Sequence, residues 1–128
     1  EAQAILVRLE TDLLDICESM LAGTLNETKI QWRPGSSACV VLASENYPAA
    51  PRTGDIISGL AEAASTPNVQ VFHAGTADSP EGEFVTSGGR VLGVTATGGT
   101  LDESLATAYS AVEKISWPGM QYRRDIGK

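Results

Sequence analysis

The chain has 128 residues, 42% hydrophobic and 20% charged, with 16 Asp plus Glu against 9 Lys plus Arg for a net charge of −7. That is the size and make-up of one globular domain with an ordinary core, and it excludes a disordered chain and a general nucleic-acid binder, which needs a basic surface. No apolar run approaches the roughly 20 residues of a membrane span and no signal-peptide pattern opens the chain, so the expected setting is cytoplasmic.

The sequence begins Glu1-Ala2-Gln3, without Met and without a Ser, Thr, Asp or Asn cap before a helical pattern, as if it started inside a larger protein. From Gln3 to Leu21, the apolar residues Leu6, Leu9, Leu13, Ile16, Cys17, Met20 and Leu21 recur at three- and four-residue spacing. This predicts one amphipathic helix with Gly23 just past its end. Each fully buried Leu or Ile contributes ~1.5–3 kcal/mol, so such a face calls for a partner surface. Lys29–Trp32 is a short strand candidate, and Ala38–Ala43 reads as a strand buried on both faces.

Residues 46–51, with Pro48 and Pro51, form a loop. A second helix is predicted from Asp55 to Ala64, stopping at Thr66-Pro67-Asn68. Val69–His73 reads as a strand, and Ala74–Gly82 as a polar loop. Strands follow at Glu83–Ser87 and Arg90–Ala96, separated by Gly88-Gly89, a signal for a two-residue hairpin. Thr100 and Glu103 make a capping-box pattern. The helix it opens presents Leu101, Leu105, Ala108, Val112 and Ile115 on one face, and Pro118-Gly119 ends it before a basic tail. The fold class is α+β with mainly antiparallel pairing.

Chemistry is sparse. One histidine, His73, and two cysteines, Cys17 and Cys39, offer no metal-ligand cluster, and both cysteines lie in apolar stretches that suggest buried free thiols. His73, ending a strand before Ala74-Gly75-Thr76, could bond a substrate or serve the structure alone. Arg90, after Gly88 and Gly89, could grip phosphate or carboxylate with its fork where glycines let a ligand approach, or it could be a solvated charge. Gly98-Gly99-Thr100 could offer backbone donors to an anion, although a plain glycine turn into a capped helix suits it better. Arg123 and Arg124 read as a solvated tail or a second anion site.

Three motifs in order add to this. Phe72-His-Ala-Gly-Thr76, Val85-Thr-Ser-Gly-Gly-Arg-Val-Leu-Gly-Val-Thr-Ala96 and Tyr122-Arg-Arg-Asp-Ile-Gly127, with the opening Glu1-Ala-Gln-Ala-Ile-Leu6, resemble the C-terminal part of the phosphoribosylamine–glycine ligase (glycinamide ribonucleotide synthetase) family. The resemblance implies an ATP-grasp ligase of purine biosynthesis that joins glycine to 5-phosphoribosylamine with ATP and Mg²⁺. It implies that residues 1–23 are the last helix of the ATP-grasp module and that 24–128 are the C-terminal domain, small and barrel-sandwich-like with two helices. The family's metal ligands and nucleotide-binding lysines would lie upstream, leaving no catalytic and no metal-binding residue in this chain and making it inactive alone.

On the same resemblance, Arg90 is the expected substrate-binding residue, with Gly88 and Gly89 beside it and His73, Gly75 and Thr76 lining the cleft. Asn46-Tyr47-Pro48 stands where the family has Gly-Tyr-Pro; Asn46 can adopt the positive φ of that glycine, whereas Pro51 replaces an aromatic. A free-standing small-molecule-binding or regulatory domain of the same fold is the alternative reading.

Overall fold

Alternation along two strands decides the architecture. In this computed structural model, which describes residues 1–128, β1 (Ser36–Ala43) pairs antiparallel with β5 (Arg90–Gly98), placing Val40 opposite Val94 and Val41 opposite Gly93. The other edge of β5 pairs antiparallel with β2 (Val69–His73), placing Val71 opposite Val94 and Phe72 opposite Gly93. Successive side chains point to opposite faces of a sheet. One face therefore carries Val40, Leu42, Val94, Ala96 and Val71, and the other carries Cys39, Val41, Gly93, Thr95 and Phe72.

The first face is covered by α4 (Leu101–Val112), and Ala108, Ala111 and Val112, with Ile115 and Trp117 beyond the helix end, complete the core with it. The capping box forms as expected: Glu103 N–H donates to the Thr100 hydroxyl and Thr100 N–H to the Glu103 carboxylate, both at 3.2 Å. The buried stripe is not quite the expected one, since Ser104 and Ala111 are buried while Leu101 is exposed. The tail docks on the same helix. Tyr109 donates its hydroxyl proton to the Arg123 carbonyl at 2.8 Å and accepts from Ile126 N–H at 3.2 Å.

The second face is only partly covered, by α1 (Ala2–Leu6), tied down where the Ser37 hydroxyl donates to the Ala4 carbonyl. This corrects the expectation of a strand at 38–43 buried on both faces: Val41 is 44% exposed and Cys39 half-buried. Cys17 is exposed, so neither thiol is buried.

The helix expected over Gln3–Leu21 is two, α1 and α2 (Leu13–Ala22). Between them the backbone extends and pairs with residues 31–33, through Glu10 N–H to the Gln31 carbonyl (3.0 Å) and Arg33 N–H to the Arg8 carbonyl (2.8 Å). Asp12 then caps α2, its carboxylate accepting from Leu14 N–H at 2.8 Å. The apolar period runs unbroken through the interruption, which is why spacing does not reveal it. The strand candidate Lys29–Trp32 reduces to this pairing and a Leu9–Trp32 bridge. Gly23 ends α2 at φ +72, as expected.

The helix expected over Asp55–Ala64 shrinks to α3 (Leu60–Ala64). Ile56 and Ser58 instead bridge to Val85 and Ser116, and Gly59, at φ +81, lies against the Lys114 carbonyl where no Cβ would fit. The Gly88-Gly89 hairpin is also absent. β4 (Phe84–Thr86) pairs with β3 (Thr76–Asp78), inside the segment expected to be a loop, and β5 leaves for the other sheet. The order of elements and the antiparallel pairing are those of the expected α+β class. No helix is long and apolar enough to cross a membrane.

Candidate functional site

Arg90 opens β5 at the rim of a cavity of about 550 Å³ on the partly covered face. Gly89, Tyr47, Cys39 and Gly93 line it, with Glu1 and Gln3 from the start of α1. The walls are held by the loop after β1. Asn46 takes φ +65, so the turn survives the replacement of glycine, and Ser44 reaches across to the facing strand. Ser44 N–H donates to the Gly89 carbonyl at 2.9 Å and its hydroxyl to the Gly88 carbonyl at 2.8 Å. Beyond Pro51, Arg52 clamps the loop by ion pairs to Asp55 (2.7 Å) and Glu45 (3.3 Å).

The glycines serve packing of the chain on itself. A Cβ on Gly89 would collide with the Tyr47 ring, and one on Gly75 would sit 2.8 Å from both the Arg90 carbonyl and the Gly88 Cα. Neither Gly88 nor Gly89 has positive φ. Their bareness lets three backbone segments cross beneath Arg90 and brings the Tyr47 ring to the cavity.

The six expected residues thus divide. Gly88, Gly89, Arg90 and Gly75 come together. His73 lies opposite Leu92, lines a different groove of about 600 Å³, meets the Phe84 ring at a 53° tilt with centroids 4.6 Å apart, and bonds Thr76 Oγ1 through Nδ1 at 3.0 Å. Sequence reasoning missed Tyr47, Cys39, Glu1 and Gln3 as lining residues. The Asn-Tyr-Pro motif was a usable signal for Tyr47; the others follow only from strand register and from where α1 rests.

Arg90 is also distinguished electrostatically. Of the six arginines, Arg52 and Arg123 form ion pairs, Arg124 lies over the Tyr122 ring at 4.9 Å, and Arg8 donates to the Arg33 carbonyl. Only the guanidiniums of Arg33 and Arg90 have no partner. In a chain of net charge −7, a guanidinium left free at a cavity rim is ready for an external anion. The tail is not such a site: its Arg123 is paired with Asp125, whose carboxyl that hydrogen bond holds below its ordinary pKa, and Asp125 in turn raises the pKa of Arg123. At Gly98-Gly99-Thr100 the chain's own Glu103 carboxylate takes the Thr100 donor, which favours the plain glycine turn.

A family model for the phosphoribosylglycinamide synthetase C domain matches residues 37–128. A phosphoribosylamine–glycine ligase from Vigna unguiculata is 48% identical over 120 residues, covering 93% of this chain and 39% of the relative. One from Neisseria meningitidis serogroup A is 47% identical over 126 residues, covering 98% of this chain and 29% of the relative. The crystal structure of phosphoribosylamine–glycine ligase from Thermotoga maritima superposes with a TM-score of 0.67 at 34% identity, over 85% of this chain and 27% of that one. The chain spans well under half the length of these relatives.

Proposed function

Because the chain belongs to the phosphoribosylglycinamide synthetase C-domain family, we propose that it is the C-terminal part of a cytoplasmic phosphoribosylamine–glycine ligase and forms one wall of its active site. The complete enzyme joins glycine to 5-phosphoribosylamine at the expense of ATP, giving glycinamide ribonucleotide, ADP and phosphate. A carboxylate must be activated before an amine can displace its oxygen, and ATP with Mg²⁺ supplies that activation in an ATP-grasp enzyme. No three His, Cys, Asp or Glu side chains converge in this chain.

What this chain provides is binding. Arg90 contacts an anionic group of substrate, and Tyr47 and the Gly75–Gly88 crossing fix the start of β5 so that its guanidinium faces the cavity. His73 and Thr76, bonded to each other, stand apart from the Arg90 cavity and take no part in that contact. Residues 1–23 form the end of the ATP-grasp module and 24–128 the C-terminal domain. The supporting feature is the apolar side of the first segment: Leu13, Leu14, Met20 and Leu21 are 51%, 64%, 60% and 90% exposed, a surface suited to packing on a preceding module.

The observation that carries the reading is the family match over residues 37–128. In the complete enzyme, Arg90→Ala lowers kcat/KM by roughly 10- to 150-fold, the ~1.5–3 kcal/mol of a charged hydrogen bond. An unchanged kcat/KM for both glycine and phosphoribosylamine removes Arg90 from the site. The 128-residue chain assayed alone with ATP, glycine and phosphoribosylamine shows no turnover; turnover above background refutes its incompleteness.

A further inference from the structure

The property that singles out Arg90 applies to one other arginine. Arg33 is likewise without a side-chain partner, and it lines a cavity of about 560 Å³ at the opposite end of the partly covered face, past the C-terminal end of α1. Arg8, Pro34, Asn68, Thr97 and the backbone of Gly98 and Gly99 continue its wall, which contains no acidic residue. Arg8 is fixed there: its Nε and Nη2 donate to the Arg33 carbonyl at 3.3 and 3.0 Å, leaving Nη1 free. Glu103 is committed to the Thr100 N–H and does not line the cavity. Gly35 closes the wall at φ +96, against the Gly98 carbonyl, where a Cβ would not fit.

Arg33, Asn68 and Thr97 also line an adjoining cavity of about 430 Å³. Leu6, Val7, Val69 and Phe72 line it beside Gln70 and Thr95, and the Thr95 hydroxyl has no hydrogen-bond partner although the residue is only 1% exposed. A buried hydroxyl without a partner is uncommon and calls for an explanation. The free fork of Arg33 and the remaining Nη1 of Arg8, among neutral donors, suit a doubly charged tetrahedral anion, while the apolar side chains of the adjoining cavity, with the Thr95 hydroxyl beneath them, suit an organic body.

We propose that these joined cavities bind a phosphate monoester of a small organic molecule, with the phosphate between Arg8 and Arg33 and the organic body against Phe72 and Thr95. The proposal stands apart from the catalytic reading and does not depend on it.

The test is a titration of the isotopically labelled 128-residue chain, whose core closes within residues 40–117, with phenyl phosphate and with inorganic phosphate at about 0.15 M salt, following backbone amide shifts. Saturable shifts at Asn68, Gly98 and Gly99 are expected, with phenyl phosphate binding about tenfold more tightly than inorganic phosphate. Arg33→Ala removes a side chain that bonds nothing in the fold, and it weakens binding of both at least tenfold; Arg33→Lys restores part of it. Arg124→Ala, the same charge change elsewhere, leaves binding unaltered. Absence of saturation, equal loss in Arg33→Ala and Arg124→Ala, or equal affinity for the two phosphates overturns the proposal.

Discussion

The two faces of the three-stranded sheet are built from the same strands and do opposite jobs. Under α4, Val40, Leu42 and Val94 are 0% exposed and pack with Ala108, Ala111 and Val112 of the helix. Small residues on the helix and branched ones on the strands let the two elements approach closely. On the other face the centre of the sheet offers only Cys39, Gly93 and Thr95 between Val41 and Phe72, and the five-residue α1 does not cover it. Cavities remain at both ends of that face, and the two unpartnered arginines sit in them. The core lies on one side of the sheet, and the proposed binding on the side where packing is incomplete.

Adjacent residues of β1 break this contrast most directly. Leu42→Ala costs ~2–5 kcal/mol, since it empties a fully buried site, whereas Val41→Ala costs about 0.5 kcal/mol or less on the half-exposed face. Denaturant midpoints at constant slope measure both, and equal losses would abolish the distinction between faces. Next comes Gly75→Ala, whose methyl lies 2.8 Å from the Arg90 carbonyl. It costs ~1–3 kcal/mol by overpacking and shifts the Tyr47 ring resonances, while the α4 resonances stay in place.

Thr100→Ala removes one half of the capping box and costs ~1 kcal/mol, read from the same denaturation curves, with the Arg90 cavity unaltered. The smallest effect is electrostatic. Asp125 titrates lower in the folded tail than in the unfolded chain, so its stabilisation is complete above about pH 4 and fades as pH falls through the folded value. Both partners are fully exposed, so the change appears as local release of the tail. The Ile126 amide shift follows it, and Asp125→Asn abolishes the titration.

Local signals read well from sequence. Val69–His73 forms as expected, and α4 begins at its capping box, because each is specified by neighbours along the chain. The misread segments are those that distant backbone claims. Residues 8–11 pair with 31–33, and Ile56 and Ser58 bridge to Val85 and Ser116, overriding helical periodicity. At the site, Arg90 and Gly89 were legible as a motif. The separation of His73 from Arg90 was not, because it depends on register: His73 lies opposite Leu92, on the side of the sheet that faces α4. Arg33 carried no motif at all, and its interest comes only from having nothing to bind.

Cys39 gives the partly covered face a clock of its own. Gly93 makes room for its sulfur, with Sγ 3.2 Å from where a Cβ would stand, and the thiol borders the Arg90 cavity beside α1. Cys17, on the outside of α2, is freely exposed. An alkylating reagent therefore meets a fast thiol and a slow one in the same molecule. The ratio of the two rates reports how accessible the partly covered face is, with no label added and no residue changed.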